Sequence, residues 1–351
     1  MGKSKIEWCE ETWNPVVGCS HAGSRGCDHC YAVRQTRRME AMGQEKYRGL
    51  VTEWHFNGTV RCVPEELARP LKWKKPRIVF VNSMSDLFHE QIPDEFLLQV
   101  FLTMAFSHLE ASRKNRTAPV FIVLTKRPLR MREFCTTKPW FARYARAEID
   151  GRPITGTITY AILPNLILGV SVEDQKAADE RIPLLLDTPA ACRMLSLEPL
   201  LGPVNLPESL KEHADRLWVV AGGESGPAAR PSHPDWFRSL RDQCGEMGIP
   251  FFFKQWGEWS GHCFDCTGMN PPIPVADITE KKIRVWKDGR PWKADFSREM
   301  EQIFHPGAVV SVRQGKHHAG LVLDGRTWDE YPPMIQKILD QRVVAGDGDE
   351  D

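Results

Sequence analysis

Three cysteines near the N-terminus lie in one glycine-flanked loop and could hold a metal. Cys27 and Cys30 form a chelating Cys-x-x-Cys pair, and Cys19 precedes them with seven residues between. Thiolates grouped in this way bind zinc or an iron–sulfur cluster. Three protein ligands leave one coordination position open, and chemistry can take place there. The loop from Gly18 to Tyr31 is therefore the strongest functional signal in the sequence.

Two interpretations of this loop differ in the metal and in its role. A structural zinc site needs four ligands, and Cys9, His21 or His29 could supply the fourth. A [4Fe–4S] cluster on three cysteines instead leaves one iron able to bind a small molecule. We favour the cluster because the loop follows the first expected strand, at the rim where other polar residues are expected to gather. Metal-free core thiols are disfavoured, since a glycine-rich loop packs poorly as core.

A second chelating pair is formed by Cys263 and Cys266, which follow His262. The pair could bind a second cluster or a zinc ion, but two further cysteines are not found nearby. A coincidental pair is an equally good interpretation. Four other cysteines are expected to be buried or solitary thiols: Cys62, Cys135, Cys192 and Cys244.

The bulk composition describes an ordinary globular protein. The 351 residues are 42% hydrophobic and 26% charged, and 46 basic residues balance 46 acidic ones. This balance argues against a wholesale nucleic-acid or membrane binder. No apolar run approaches the roughly 20 residues of a membrane span, and the N-terminus lacks a signal-peptide apolar region. We expect a cytoplasmic protein with reduced thiols and no membrane partner.

Short apolar runs that end in polar or glycine-rich residues alternate with helical patterns. This alternation predicts parallel strands that are buried on both faces. Strands are expected at 12–17, 77–81, 119–124, 166–170, 193–197, 217–221 and 250–253, and helices at 94–108, 174–187 and 234–245. About seven βα units favour an α/β fold: a TIM-type partial (β/α) barrel of six or seven parallel strands, with a doubly wound sheet as the alternative.

The domain organisation follows from where this alternation stops. The partial barrel with its cysteine loop is expected over 1–260, a small C-terminal extension over 261–340, and a disordered acidic tail over 341–351. The segments 46–71 and 136–163 interrupt the pattern and are expected to be insertions.

Polar residues follow nearly every expected strand, and active sites of parallel α/β folds form at the carboxyl ends of strands. The candidates for holding a cofactor or substrate there are Asn82, Ser83, Ser85, Ser171, Glu173, Glu198, Glu224 and Lys254. Carboxylates directly after apolar strands lie in low-dielectric surroundings that perturb their pKa. For each glutamate, an ion pair with Lys126, Arg127 or Lys254 is an equally good interpretation. Turn chemistry explains the asparagine and the serines of residues 82–85 equally well.

The loop and the strand ends together resemble a phage-associated family of three-cysteine proteins, whose members are often encoded beside a three-Cys-motif partner protein. The resemblance covers residues 5–335. It rests on Trp-Asn-Pro at 13–15, the cysteine loop at 18–32, Asn-Ser-Met-Ser-Asp-Leu-Phe at 82–88, Leu-Thr-Lys-Arg-Pro at 124–128, Gly-Val-Ser-Val-Glu at 169–173, Ser-Leu-Glu-Pro-Leu at 196–200, Gly-Gly-Glu-Ser-Gly at 222–226, Phe-Phe-Lys-Gln-Trp-Gly at 252–257 and Leu-Asp-Gly-Arg-Thr-Trp at 323–328.

The loop is also similar to that of radical S-adenosylmethionine (SAM) enzymes, nearest to the spore photoproduct lyase-like branch, in which an aromatic residue such as Tyr31 accompanies three cysteines. The resemblance implies a [4Fe–4S] cluster on Cys19, Cys27 and Cys30, with SAM on the fourth iron. It further implies an enzyme that cleaves SAM reductively to start radical chemistry. The first cysteine gap departs from the usual Cys-x3-Cys-x2-Cys spacing. A Gly-Gly-Glu element ending at Glu224 follows about the sixth strand instead of the second, so it is not assigned its usual role.

The substrate class is left open, with a nucleic acid or nucleotide as the expectation. Basic residues cluster at 69–77, 113–116 and 127–132, with Trp73 and Trp140 nearby, and this mixture suits phosphates and stacked bases. Solvated charges at helix ends are the favoured explanation of these clusters. The alternative function is a zinc-stapled nucleic-acid-binding protein without catalysis. A subunit that acts only with its genomic partner is a third possibility.

Overall fold

The computed structural model describes residues 4, 6–137, 144–149, 152–157, 162–259, 264–265, 282–286 and 308–345. The expected chelating pair Cys263 and Cys266 lies outside the described residues, as do His262 and Trp140.

The core of the fold is one sheet of seven parallel strands, paired with one another in chain order. They are β1 (Glu11–Trp13), β2 (Ile78–Val81), β3 (Val120–Thr125), β4 (Leu166–Ser171), β5 (Cys192–Leu197), β6 (Leu217–Gly222) and β7 (Phe251–Gln255). The sheet curls into a half-barrel, which confirms the expected partial barrel. A doubly wound sheet is excluded because its strand order would reverse at a switch point.

Seven α-helices accompany the sheet in the described residues. They are α1 (Tyr31–Ala41), α2 (Asp94–Arg113), α3 (Pro128–Thr137), α4 (Gln175–Leu186), α5 (Pro234–Met247), α6 (Lys316–Ala319) and α7 (Pro333–Ala345). The expected helix at 174–187 begins one residue later, because the Asp174 side chain accepts a hydrogen bond from the Ala177 amide at 3.0 Å and caps the helix. Short 3₁₀ helices cover Arg25–Cys27, Glu45–Tyr47, Pro64–Glu66, Pro70–Lys72 and Glu208–Arg216.

The remaining strands form small antiparallel pairings. Val16–Val17 pairs with Arg61–Cys62, Val51–Thr52 with His55–Phe56, Tyr144–Ile149 with Arg152–Thr157, and Ala308–Val312 with both Phe264–Asp265 and Lys282–Trp286. The first expected strand, 12–17, is thus divided between β1 and Val16–Val17. Both expected insertions contain hairpins.

The strands after β1 are mainly apolar and almost entirely buried because both of their faces are covered. In β2, Val79 and Val81 belong to the cluster that includes the buried face of α2. Ile78 and Phe80 belong to a second cluster on the inner face of the half-barrel, together with Trp8. This double coverage explains the uninterrupted apolar runs of the sequence.

The last described helix, α7, is part of the barrel core. Its Ile335 and Ile338 are fully buried and join the inner cluster that contains Trp8 and Trp218. The Trp218 indole also donates a hydrogen bond to the Glu330 carbonyl at 2.9 Å. The helix runs to Ala345, so the tail expected at 341–351 begins inside it.

Candidate functional site

The loop that carries the three cysteines connects the strand Val16–Val17 to α1 and is bound to the carboxyl ends of several sheet strands. Its central turn, Arg25–Cys27, is capped by Ser24, whose hydroxyl accepts a hydrogen bond from the Gly26 amide at 3.2 Å. Cys30 directly precedes α1. Three separate groups of contacts hold the beginning, the middle and the end of this loop.

The beginning of the loop is held by Arg127, which follows β3. Its guanidinium donates to the Ser20 hydroxyl at 2.8 Å and approaches the Cys19 sulfur at 3.9 Å. Asp86 and Glu90 fix the guanidinium in turn, at 3.3 and 2.9 Å. The sequence suggests Arg127 as a partner for a glutamate of the rim or as part of the basic cluster 127–132, but in the structure its guanidinium holds the segment at the first cysteine.

The middle of the loop is held by Glu173, which follows β4. The Ser24 hydroxyl donates to this buried carboxylate, and Arg181 of α4 forms a two-pronged ion pair with it, at 2.9 and 3.2 Å. Burial acts to raise the pKa of Glu173, but Arg181, Ser24 and Lys126 together lower it below its ordinary value. The buried Ser171 contributes its carbonyl, which accepts from Arg181 at 2.7 Å.

The end of the loop is held by Glu224, which follows β6. Arg230 binds this carboxylate through Nε at 2.8 Å and Nη2 at 2.6 Å. The same guanidinium reaches the loop, at 3.2 Å from the Asp28 carboxylate and 2.8 Å from the Arg25 carbonyl. His29 also lies 3.4 Å from Glu224. Glu224 therefore positions the loop through its ion pair with Arg230.

Glu198 and Lys254 form a different pair, at the ends of β5 and β7. Their charged atoms are 2.5 Å apart, and the Trp8 indole donates to Glu198 at 3.1 Å. Burial acts to lower the pKa of Lys254, but the ion pair with Glu198 outweighs it and raises the pKa. Among the ion pairs predicted for the three glutamates from the sequence, this is the one that the fold forms.

The polar residues after β2 mainly build the turn itself. The Ser83 hydroxyl donates to Asn14 at 3.1 Å, and the Ser85 hydroxyl donates to the Val16 carbonyl at 3.0 Å. Asn82 has a positive φ of 58°, and its side-chain oxygen accepts from the Val16 amide at 3.4 Å. Its amide nitrogen is buried and has no hydrogen-bond partner among the described residues. Of the residues in this turn, Asn82 keeps a donor available for a ligand.

Lys126 is a cation beside the cysteines. Its backbone amide donates to Asp86 at 2.9 Å, but its side-chain ammonium forms no hydrogen bond or ion pair within the described ranges. A Cβ on Gly26 would lie 3.3 Å from its Cε atom and 3.7 Å from the Glu173 carboxyl carbon. Its charge acts on both Cys30 and Glu173. The lysine thus supplies positive charge under the central turn of the loop.

The three thiols lie close enough to influence one another. Burial, with smaller contributions from Asp86 and from the charges of Cys30 and Cys27, raises the pKa of Cys19 to about 12 against the lowering effect of Arg127. Burial also raises the pKa of Cys30. All three cysteines are free thiols.

The loop fits an iron–sulfur cluster in the type and number of its ligands, but they are not preassembled. Cysteine thiolates are the usual ligands of such clusters. Among the residues that the structure describes, no group of three or more histidine, cysteine, aspartate or glutamate side chains is arranged to hold a metal ion. Binding would require the sulfurs to draw together. At Gly23 the loop has a positive φ of 69° and open space where a Cβ would point, so it is not tightly packed at that position.

Each residue that the sequence offers as a fourth zinc ligand has another partner. His21 lies 3.1 Å from Asp28, His29 contacts Glu224, and the buried Cys9 lies 3.3 Å from the Ser4 hydroxyl. A histidine that ligates a metal usually pairs its other ring nitrogen with a carboxylate, so these contacts leave the structural zinc site as an alternative.

Two arginines of the site, Arg181 and Arg230, are not found by sequence reasoning. Arg181 does carry a signal, because it occupies a buried position of α4 between the apolar residues Ala178 and Ile182. A charged residue on the apolar stripe of a helix indicates a buried partner. Arg230 lies in a loop and carries no comparable signal.

Most of the basic clusters that suggest nucleic acid are paired with acids. Arg77 lies 3.6 Å from Glu11, and Arg113 lies 3.1 Å from Glu110. Similar pairs join Arg69 to Glu11, Arg130 to Asp94, and Arg132 to Asp187. These contacts support the interpretation of the basic clusters as charged residues that pair with neighbouring acids in the fold.

Comparison with known proteins gives a family but no activity. The family model described as "Protein of unknown function (DUF5131)" matches residues 3–332. No curated protein and no solved structure matches the chain. Within the described part of the chain, none of the helices has the length and apolar character needed to cross a membrane.

Proposed function

We propose that the chain, which belongs to the DUF5131 family, is an iron–sulfur enzyme of the radical SAM type. One arrangement carries the proposal: three free cysteines on the loop between the first strands and the first helix of a parallel half-barrel. The loop lies at the carboxyl ends of the strands, where active sites of parallel α/β folds form. Such a site is more typical of a reactive cofactor than of a zinc ion that only stabilises the fold.

The proposed ligands are Cys19, Cys27 and Cys30, which would bind three irons of a [4Fe–4S] cluster. Such a cluster, bound together with SAM, supplies the one-electron reduction that starts radical chemistry. The substrate and the bond that changes are not assigned by these residues, and a nucleic acid or nucleotide stays our expectation. The three-Cys-motif partner protein also stays a prediction.

The residues that hold the loop would position the cluster ligands. Arg127 holds the segment at Cys19, and the Ser24–Glu173 contact holds the central turn. Arg230 bridges Glu224 to the end of the loop. Three attachments to separate strands would limit the positions available to the sulfurs, so that only small movements of the loop would be needed to draw them together around a cluster.

The unpartnered groups near the cysteines would bind ligand. Lys126 forms no ion pair in the described structure, so its ammonium is available to a carboxylate or to the negative charge of a thiolate-bound cluster. The buried amide nitrogen of Asn82 is available to an acceptor atom in the same way. The inner apolar cluster includes Trp8, Trp218 and residues of α7 and packs on the inner face of the half-barrel. Such apolar surroundings would help to protect a radical intermediate from solvent.

The deciding experiment is anaerobic reconstitution of the full chain with iron and sulfide. We expect a brown protein that absorbs near ~400 nm and binds about four irons and four sulfides per chain. With SAM and a reductant it should release 5′-deoxyadenosine. Cys27→Ala should abolish the colour, whereas Cys62→Ala, which changes a half-buried cysteine outside the loop, should keep it.

A colourless chain that retains one zinc after the same treatment would contradict the proposal. Equal iron content in Cys27→Ala and in the parent would contradict it as well, because the colour would then arise elsewhere.

A further inference from the structure

One basic surface of the protein differs from the others because its arginines are not neutralised. It consists of Arg34, Arg37 and Arg38 on α1, together with the neighbouring hairpin of Val51–Thr52 and His55–Phe56. The three arginines are exposed, and none forms an ion pair within the described residues. Their spacing of three and four residues puts them on one face of the helix. We call this region the α1 surface.

An exposed tryptophan completes the α1 surface. Trp54, in the turn of the hairpin, is 73% exposed, the most of any large apolar side chain among the described residues. The Arg37 guanidinium lies 4.7 Å from the centre of its ring, a cation–π contact. This contact holds the indole beside the arginines with its surface in solvent. Isolated exposed apolar residues are common, but an exposed tryptophan in contact with an arginine that has no ion pair in the described part of the chain is a specific combination.

We propose that the α1 surface binds single-stranded nucleic acid, with a base stacked on Trp54 and phosphates bound by Arg34, Arg37 and Arg38. Aromatic side chains stack on any base, and arginines beside them attract the backbone. A folded acidic protein would need no aromatic platform, and a membrane surface would require a larger apolar area. The proposal adds a ligand class to the proposed function, but it does not depend on the cluster, because binding requires neither iron nor SAM.

The location of the α1 surface connects it to the cysteine loop. The helix begins immediately after Cys30, and the guanidinium of Arg34 lies against Gly226, two residues after Glu224. A strand bound along α1 would therefore approach the rim of the half-barrel where Arg230 holds the loop. Two acids near the α1 surface reduce its positive charge. The Glu40 carboxylate accepts a hydrogen bond from the Gly49 amide at 2.9 Å, and Glu53 is the residue directly before Trp54.

Fluorescence anisotropy with a labelled single strand of about 12 nucleotides tests the proposal. Trp54→Ala should weaken binding roughly 5- to 150-fold, the effect of losing one stacked base. Replacing Arg37 and Arg38 with Gln should also weaken it and should reduce the slope of log K against log salt by about 0.7 for each arginine. Glu53→Gln should strengthen binding. Arg113→Gln, which removes an exposed arginine paired with Glu110, is the matched control and should change little.

A strand with abasic sites separates stacking from charge. The parent chain should bind it more weakly than the intact strand, while Trp54→Ala should bind both equally. Because Trp54 is exposed, the variant should keep the parent's melting temperature. Identical affinities of the parent and Trp54→Ala for the intact strand would overturn the proposal. Tighter binding to anionic vesicles than to the strand, insensitive to Trp54, would overturn it too. Strand binding is measured before and after cluster reconstitution. A failure of this proposal can then be distinguished from a failure of the proposed enzyme activity.

Discussion

The ion pair between Glu173 and Arg181 is expected to be essential for the stability of the loop-bearing half of the barrel. The two side chains are only 4% and 8% exposed, and their charged atoms are 2.9 Å apart. Replacing Arg181 with Met removes the cation and leaves a buried carboxylate. At an effective dielectric constant of about 20, the lost attraction is roughly 6 kcal/mol. Breaking one side of a buried pair costs about 3–5 kcal/mol in practice.

The expected change in melting temperature follows from the size of the chain. At about 2.1 cal/mol/K per residue, the unfolding entropy of the whole chain is roughly 0.7 kcal/mol/K. A loss of about 3–5 kcal/mol then lowers the melting temperature by roughly 4–7 °C. Differential scanning calorimetry at neutral pH measures this shift. Arg132→Met, which breaks an exposed pair at 3.6 Å, is the control and should shift it by less than about 1.5 °C.

The double variant and the pH dependence distinguish lost charge pairing from lost packing. Glu173→Gln combined with Arg181→Met should recover most of the stability, because no charge remains buried. In the parent, the lowered pKa of Glu173 stabilises the fold above the carboxyl's unfolded pKa, and this stabilisation is lost as the pH falls through the folded value. Without Arg181, burial should raise the pKa instead, so protonation at acid pH should relieve the defect.

The difference in melting temperature between the parent and Arg181→Met should therefore shrink as the pH is lowered from neutral toward the pKa of a free glutamate. A constant difference across this range would refute the reasoning. So would a double variant as unstable as the single one, since the defect would then come from packing.

Two further predictions concern the loop and the glycines. Arg230→Gln should speed hydrogen exchange of the amides in the Arg25–Cys27 turn without changing exchange in β4 or β5. Arg230→Lys should have an intermediate effect, because lysine keeps the positive charge but not the two-pronged hydrogen bonding of the guanidinium. Unchanged exchange in the turn would show that the arginine does not hold it. Gly223→Ala should destabilise the chain by at least about 2 kcal/mol, because its Cβ would lie 1.9 Å from the Trp256 carbonyl oxygen. Gly245→Ala, in open space on α5, should instead stabilise it by about 0.5–1 kcal/mol, and equal melting temperatures for the two variants would contradict both expectations.

Much of the fold could be predicted from the sequence because its signals are local. Continuous apolar runs followed by polar residues identified the strands after the first, and sheet pairing in chain order confirmed the partial barrel. The first strand was predicted less well. Only Glu11–Trp13 joins the sheet, and Val16–Val17 pairs with Arg61–Cys62 because the chain turns at Asn14 and Pro15 toward the loop.

The candidate site could be located but not assembled from the sequence. The expected carboxylates do lie at the strand ends, but the cations that bind Glu173 and Glu224 are Arg181 and Arg230 rather than Lys126, Arg127 or Lys254. Among the expected ion pairs, the fold forms the one between Glu198 and Lys254. The role of Arg127 at Cys19 depends on how the loop crosses β3, and no residue pattern indicates that crossing.

The amino-acid sequence alone determined the order of strands and helices and the grouping of three thiols within one loop, because these depend on residue types at short spacing. The tertiary structure decided which charges meet. Ser24 and Glu173 are 149 residues apart in the chain, and His29 and Glu224 are 195 apart. The sheet curls, and this brings the ends of strands that are far apart in the sequence to one rim. Residues at those ends can therefore become partners. The tertiary structure also decided that the Lys126 ammonium has no ion pair within the described chain, although the acids Glu173 and Asp86 lie near it.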